Sequence, residues 1–296
     1  MYDIIVVGAG PAGLTAALYA RRANKHVLVI DPKGYGGQII NSSRVDNYPG
    51  IPHISGYDYA TSLYNQVKDM DVEFKTEIVT RVEEDKTVIT NKNKYQAKAV
   101  ILATGVEKRK LKIDREQELI GKGVSYCATC DGHFYKNKDV AIVGGGNSAL
   151  EDALYLSDIV NKVYIINQND NFSDERVYID MLKDKNNIEI IMNSNVTKLN
   201  GDKLLESIDI KDKDNKIRNI LVSGLFIAIG QEPRNGAFSN VVDINKQGYF
   251  ISDDGVHTKV DNIYIAGDAR DKFLRQLTTA VSDGSIAATY AIKEMK

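Results

Sequence analysis

The sequence predicts an α/β protein built on two dinucleotide-binding units, and three observations carry that reading. The stretch YDIIVVGAGPAGLTAALYARRANKHVLVID spells, in order, a buried strand, a glycine turn, an amphipathic helix and a second strand ending in an acid. The same order returns in KDVAIVGGGNSALEDALYLSDIVNKVYIIN, where Gly144 follows Gly8 by 136 positions. Elsewhere, VILAT, LFIAIG and NIYIAG are short, apolar and β-branched and close on threonine or glycine, as strands buried in an α/β sheet do. The charged run IKDKDNKIRN, residues 210–219, reads as a solvated hairpin turn.

In the first unit, Gly8 and Gly10 permit a tight turn and a close approach of backbone to a pyrophosphate. Gly13 lets the helix pack on the strand while its first N–H groups face the anion. Asp31 lies 18 residues beyond Gly13, at the end of the second strand, where a carboxylate can hold a ribose hydroxyl. A lone G-x-G-x-x-G is weak evidence; strand, helix, strand and acid in sequence make a nucleotide-binding unit of it.

At 296 residues the chain has room for about two domains. The balance of 38 basic against 40 acidic side chains offers no basic stripe for nucleic acid. No run approaches the ~18 apolar residues of a membrane span, and MYDIIVVGAG has neither the basic head nor the cleavage site of a signal peptide. The expected location is the cytoplasm. The only cysteines, Cys127 and Cys130, form one C-x-x-C. A tetrahedral zinc site needs four ligands, and His26, His53, His133 and His257 are scattered, so no metal site is expected. Structural disulfides are rare in the cytosol, which leaves a redox dithiol that requires an electron partner.

GAGPAGLTAALYA, GGQI, NYPG, ILATG, GVSYCATCDG, VGGGNSALEDA, FIAIGQEP, NIYIAGDA and RQLTTAVSDGSIAA follow one another along nearly the whole chain. Together they resemble the low-molecular-weight thioredoxin reductases. The resemblance implies two Rossmann-like, three-layer domains: an FAD domain from residues 1–113 and 247–296, and an inserted NAD(P)-type domain, 114–246, that carries the C-x-x-C. It implies that Gly8, Gly10, Gly13 and Asp31 hold the adenosine and pyrophosphate of FAD and that Gln38 and Asn47 line the flavin. Asp268 would bind the ribitol chain or the adjacent phosphates. Arg275 and Gln276 would precede a helix whose N-terminus faces the flavin pyrimidine and favours negative charge there. Read alone, Asp268 is a cap or turn acid and Asn47 a turn residue.

By the same resemblance Cys130 faces the flavin, Cys127 attacks the substrate disulfide, and Asp131 protonates a leaving thiolate or takes up its proton. Asp131 also reads as a helix cap. The expected reaction passes electrons from reduced FAD to the internal disulfide and on to a protein disulfide, thioredoxin foremost, in a homodimer.

The departure from that family is local. Gly144, Gly146 and Ala149 keep a nucleotide turn, with Glu151 in the helix behind it. Members that use NADPH follow the next strand with a basic H-R-R-x-x-x-R clamp for the 2′-phosphate, but INQNDNFSDE stands here. Gln168, Asn169 and Ser173 replace arginines, and Asp170, Asp174 and Glu175 would repel a phosphate. Asn167 occupies the strand end where NAD-preferring units place an acid. The expected donor is NADH, or weak use of either nucleotide, or a ferredoxin- or flavodoxin-type protein, rather than NADPH. Two competing readings are a dithiol oxidase of the same fold that uses oxygen and a non-enzymatic flavin-binding redox sensor. A ferredoxin–NADP reductase of this fold would lack the cysteine pair.

Overall fold

A computed structural model describes residues 1–42, 45–172, 176–252 and 255–295. The chain forms two compact units, Met1–Glu107 with Glu232–Lys296, and Lys108–Gln231. The sequence reading put these divisions at 113/114 and 246/247. Both lie earlier: Leu111 and Ile113 pack against the core of the second unit, and Phe238, Val241 and Val242 pack with Leu102, Phe250 and Ile265 in the core of the first.

In the first unit the strand Tyr2–Val7 pairs in parallel with Val27–Ile30 on one side and Lys94–Leu102 on the other. Glu73–Lys75 extends one edge, and the antiparallel strands Thr87–Thr90 and Val79–Val82 extend the other. Near its C-terminal end, Lys94–Leu102 also receives Ile263–Ile265 in parallel. The central strands are apolar on both faces, as expected of a covered parallel sheet. Ile4, Val6, Val27 and Val29 face a core shared with the helices Pro11–Arg22 and Leu277–Glu294, whereas Ile5, Val7, Leu28 and Ile30 face the Phe238–Phe250 side. That alternation gives three layers from one sheet.

The second unit repeats the plan with a different outer layer. Its parallel sheet runs Ile188–Ile191, Lys162–Ile166, Asp139–Val143, Gly224–Ile227 and Val124–Ser125. Val140, Ile142, Val163 and Ile165 bury against Ala149, Leu150, Ala153 and Leu156 of the helix Asn147–Ser157. The opposite face, Ala141, Val143, Leu225 and Ile227, is covered by an antiparallel sheet of Ser194–Asn200, Ser207–Asp212 and Ile217–Leu221. The charged run 210–219 spans the hairpin of the last two of those strands, with residues 213–216 as its turn and the rest within the strands. Among the described residues no helix is long and apolar enough to cross a membrane.

Candidate active site

The cysteine pair sits where the strand Val124–Ser125 gives way to one helical turn, Ala128–Asp131. Cys127 and Cys130 are joined as a disulfide with their Cα atoms 5.3 Å apart. Both are half-buried, so an incoming thiolate can reach sulfur without unfolding the turn. The Cys127 sulfur lies 3.5 Å from the hydroxyl of exposed Thr129. The backbone N–H of Asp131 donates to the Cys127 carbonyl at 3.1 Å, closing the turn.

Asp131 turns its carboxylate inward. The Ser125 hydroxyl donates to Oδ2 at 2.7 Å, and Oδ1 is buried with no hydrogen-bond partner among the described residues. Burial pushes the carboxyl above the usual carboxylate range, against the lowering effects of the Ser125 hydrogen bond and of the His133 charge. A carboxyl held in this way can carry a proton at a pH where an exposed aspartate would have lost it. Tyr135 is pushed up to about 12, chiefly by burial and then by the Asp131 charge. Beneath the turn, buried Glu116 accepts the N–H groups of Leu111 and Lys112 at 3.1 and 2.7 Å and the hydroxyl of Tyr126, which anchors the residue before Cys127.

The first glycine turn is equally constrained. Gly8 has φ +108°, and a Cβ there would meet the Ala103 carbonyl oxygen at 2.2 Å; a Cβ on Gly13 would meet the Gly8 carbonyl at 1.9 Å. Gly10 caps the helix Pro11–Arg22, and Gly37 lies against it, where a Cβ on Gly37 would be 3.1 Å from the Gly10 Cα. Gln38 is exposed in the adjoining turn Gly37–Asn41. Asp31 accepts the Ala9 N–H on Oδ2 at 2.9 Å and the Lys33 N–H on Oδ1 at 2.8 Å, tying the second strand to the glycine turn. Gly8→Ala is expected to cost about 1–3 kcal/mol from backbone strain alone, beyond the clash, with a lower melting temperature and poorer retention of added FAD in thermal unfolding scans.

The chain's C-terminal segment brings the remaining expected residues to this unit. Asn47 and Gln276, 229 residues apart, share a 3.0 Å hydrogen bond from Nδ2 to Oε1. Arg275 donates to the carbonyls of Asp268 and Arg270 at 3.2 and 2.9 Å and lies over the Tyr249 ring, 4.1 Å from its centroid. Asp268 sits in the turn Gly267–Ala269, and Gly267 lies so close to the first helix that a Cβ would be 2.8 Å from that of Ala12.

Sequence reasoning missed Asp283. This carboxylate, buried in the helix Leu277–Glu294, accepts the Gly267 N–H at 3.0 Å and pairs with Arg270 at 2.8 Å and Lys272 at 3.0 Å. Lys272 also lies 3.4 Å from Asp268. An acid on an otherwise apolar helix face was the available signal.

In the second unit Gly144, φ +150°, repeats the Gly8 turn, and the methyl of Ala149 fills the space a Cβ on Gly144 would need, 2.9 Å away. Asn167 is 2% exposed. Its Nδ2 donates to the Asn171 carbonyl at 2.9 Å and its Oδ1 accepts the Asn169 N–H at 3.2 Å, while a Cβ on Gly145 would strike the amide at 2.5 Å. That side chain is committed to its own turn, and a ribose hydroxyl could gain it only by displacing these bonds. Gln168, Asn169 and Asp170 are exposed. Ser173, Asp174 and Glu175 lie outside the described residues. Glu151 accepts the Tyr178 hydroxyl at 2.5 Å, and burial pushes neighbouring Asp152 up to about 6, with the Lys108 charge opposing and Glu151 adding to the rise. Among the described residues no group of three or more His, Cys, Asp or Glu is placed to hold a metal ion.

A disulfide beside a buried carboxyl, on a scaffold with two glycine turns of the same build, is the arrangement of a disulfide oxidoreductase. Residues 2–284 match the pyridine nucleotide-disulphide oxidoreductase family, and the chain belongs to it. It is similar to a thioredoxin reductase of Listeria monocytogenes, 39% identical over 298 residues covering 99% of this chain and 93% of that one. A Clostridium pasteurianum protein described as a 34.2 kDa protein in rubredoxin operon is 38% identical over 296 residues, 98% of this chain and 96% of its own. The crystal structure of thioredoxin reductase from Streptococcus pyogenes superposes with a TM-score of 0.95 at 36% identity, covering 99% and 98% of the two chains. The chain is thus a thioredoxin-reductase-like enzyme, a disulfide reductase with its cysteine pair at Cys127 and Cys130.

Proposed function

We propose that this enzyme holds FAD in the unit formed by Met1–Glu107 and Glu232–Lys296 and passes electrons through Cys127 and Cys130 to the disulfide of thioredoxin or a thioredoxin-like protein. The observation that carries the reading is the half-buried disulfide backed by the buried carboxyl of Asp131. FAD, when bound, would supply two-electron redox chemistry. The residues fit that cofactor: a glycine turn at a helix N-terminus suits a pyrophosphate, and Asp31, already hydrogen-bonded to the turn, suits a ribose. The coupled pair Asn47 and Gln276, with Gln38, would line the flavin, while Asp268 and Arg275 would hold its ribityl and phosphate side.

Cys127 takes the role of attacking thiolate and Cys130 that of the flavin-facing partner. Asp131 moves the proton. The donor in this proposal is NADH or a ferredoxin- or flavodoxin-type protein, since the exposed amides of Gln168 and Asn169 offer a 2′-phosphate no guanidinium. The family likeness further supports a cytoplasmic homodimer.

The test is to add NADPH, NADH and reduced ferredoxin in turn to the FAD-loaded chain without oxygen, then thioredoxin disulfide. Flavin bleaching by NADH or ferredoxin, with thiols appearing on thioredoxin, is the expected result. Bleaching by NADPH as fast as by NADH defeats the donor assignment. A bleached flavin that releases no thiol on thioredoxin defeats the reductase assignment, and oxygen uptake driven by small dithiols would put an oxidase in its place.

A further inference from the structure

Ser125 is buried, 3% exposed, two residues ahead of the disulfide, and its hydroxyl makes three contacts at once. It donates to Oδ2 of Asp131 at 2.7 Å, accepts the Cys127 N–H at 3.1 Å and lies 3.4 Å from the Cys127 carbonyl. The same carbonyl accepts the Asp131 N–H at 3.1 Å. The acid is therefore tied to the backbone of Cys127 from both its main chain and its side chain. One carboxylate oxygen is used in the tie, and the other, Oδ1, is buried and unpartnered among the described residues. A buried acceptor without a partner costs stability, so its retention beside a disulfide calls for a functional explanation.

We propose that Ser125 is the positioning residue for proton transfer at the cysteine pair: by holding Oδ2 it leaves Oδ1 of Asp131 as the oxygen that exchanges a proton with sulfur. This rests on the reading of Asp131 as the acid. In the step, an incoming thiolate attacks the Cys127 sulfur, the S–S bond breaks and a mixed disulfide forms. Cys130 leaves with the electron pair and takes the proton from Oδ1, and Asp131 becomes a carboxylate whose charge Ser125 stabilises. The reverse step returns the proton to Oδ1 as Cys130 reattacks Cys127 and the first thiolate departs.

The other ionisable groups on the elements packed here are few. His133 and Tyr135 follow on the turn Gly132–Tyr135, and Tyr126 is bound to Glu116. The helix Asn147–Ser157 carries Glu151, Asp152 and Tyr155, of which Tyr155 lies against Gly132, 3.2 Å from where its Cβ would be. The paired strand Gly224–Ile227 has none.

The experiment measures reduction of the internal disulfide in the full FAD-loaded chain by dithiothreitol from pH 5 to 10, counting alkylated thiols by mass spectrometry after acid quench. Rates are divided by the dithiothreitol thiolate concentration. The wild type is expected to fall as pH rises through the Asp131 titration. Losing a hydrogen bond to the charged form raises a carboxyl pKa, so Ser125→Ala should move the fall upward by about one pH unit and lower the low-pH plateau. Ser125→Thr, which keeps the hydroxyl, should restore the wild-type midpoint. Asp131→Asn should remove the fall altogether, and Ser125→Ala should then shift nothing further, which separates Asp131 from His133 and Asp152. A Ser125→Ala profile with an unmoved midpoint overturns the positioning role. A fall that persists in Asp131→Asn instead overturns the assignment of Asp131 as the acid.

Discussion

Cys130→Ser will stop thioredoxin turnover and leave Cys127 able to capture its substrate. In the proposed roles Cys127 attacks the incoming disulfide and becomes joined to it; release requires a second thiolate on the same turn, and the pair's 5.3 Å Cα separation makes Cys130 that thiolate. With serine in its place the mixed disulfide has no internal exit, so a covalent adduct with thioredoxin should accumulate on a non-reducing gel while turnover falls to the level of uncatalysed exchange. Cys127→Ser should be equally inactive yet form no adduct. FAD retention should be unchanged in both, because the residues assigned to FAD lie in the other unit. An adduct on Cys127→Ser and none on Cys130→Ser would reverse the two roles, and wild-type turnover by either variant would remove the dithiol from the reaction.

Gln168→Arg with Asn169→Arg will improve use of NADPH relative to NADH if the second unit takes a nucleotide. The two side chains are exposed at the end of the strand Lys162–Ile166, immediately after the buried Asn167, so guanidinium groups there can turn toward a 2′-phosphate without unpacking the turn. A charge-assisted hydrogen bond contributes about 1.5–3 kcal/mol, and one productive contact is roughly a tenfold change in preference. Exposed Asp170 will reduce the gain. The readout is the ratio of kcat/KM values for the two nucleotides. If the folded, FAD-loaded variant shows no flavin reduction by NADPH, the second unit serves to carry the cysteines, and a protein must deliver electrons directly to the flavin.

How much of this was legible depended on the range of the interaction. The strand, glycine turn and helix at Tyr2–Arg22 and Asp139–Ser157 could be read because a parallel strand is apolar on both faces and a close-packed turn demands glycine within a few residues. The hairpin around residues 213–216 could be read from its charge. The antiparallel layer over the second sheet was less visible, since strands such as SNVTKLN alternate only weakly and draw their burial from the partner sheet. Site side chains divide in the same way. The positions of Asn47 and Gln276 followed from resemblance, but their mutual hydrogen bond spans 229 residues and has no local signature. Asn167 stands at the strand end where the sequence pattern places a ribose contact, and only three-dimensional neighbours reveal its use in bracing the loop to Asn171. Ser125 has no local signature, because its partner is six residues on, across a turn whose direction the sequence does not state.

The strand Ile263–Ile265 completes a sheet begun at Tyr2, and this has a consequence for biosynthesis. Roughly 155 residues separate it from Glu107, so at about 5–20 residues per second a ribosome needs roughly 8–30 seconds to supply the missing piece. During that interval the inserted unit emerges whole and can fold, whereas Val100–Leu102 of the nascent first unit present an unpaired edge of apolar backbone. Exposed edges of this kind recruit other strands. The order of maturation is therefore opposite to the order of translation: the cysteine-bearing insert can finish first, and the unit that begins the polypeptide keeps an open sheet edge until Ile263–Ile265 has emerged to close it.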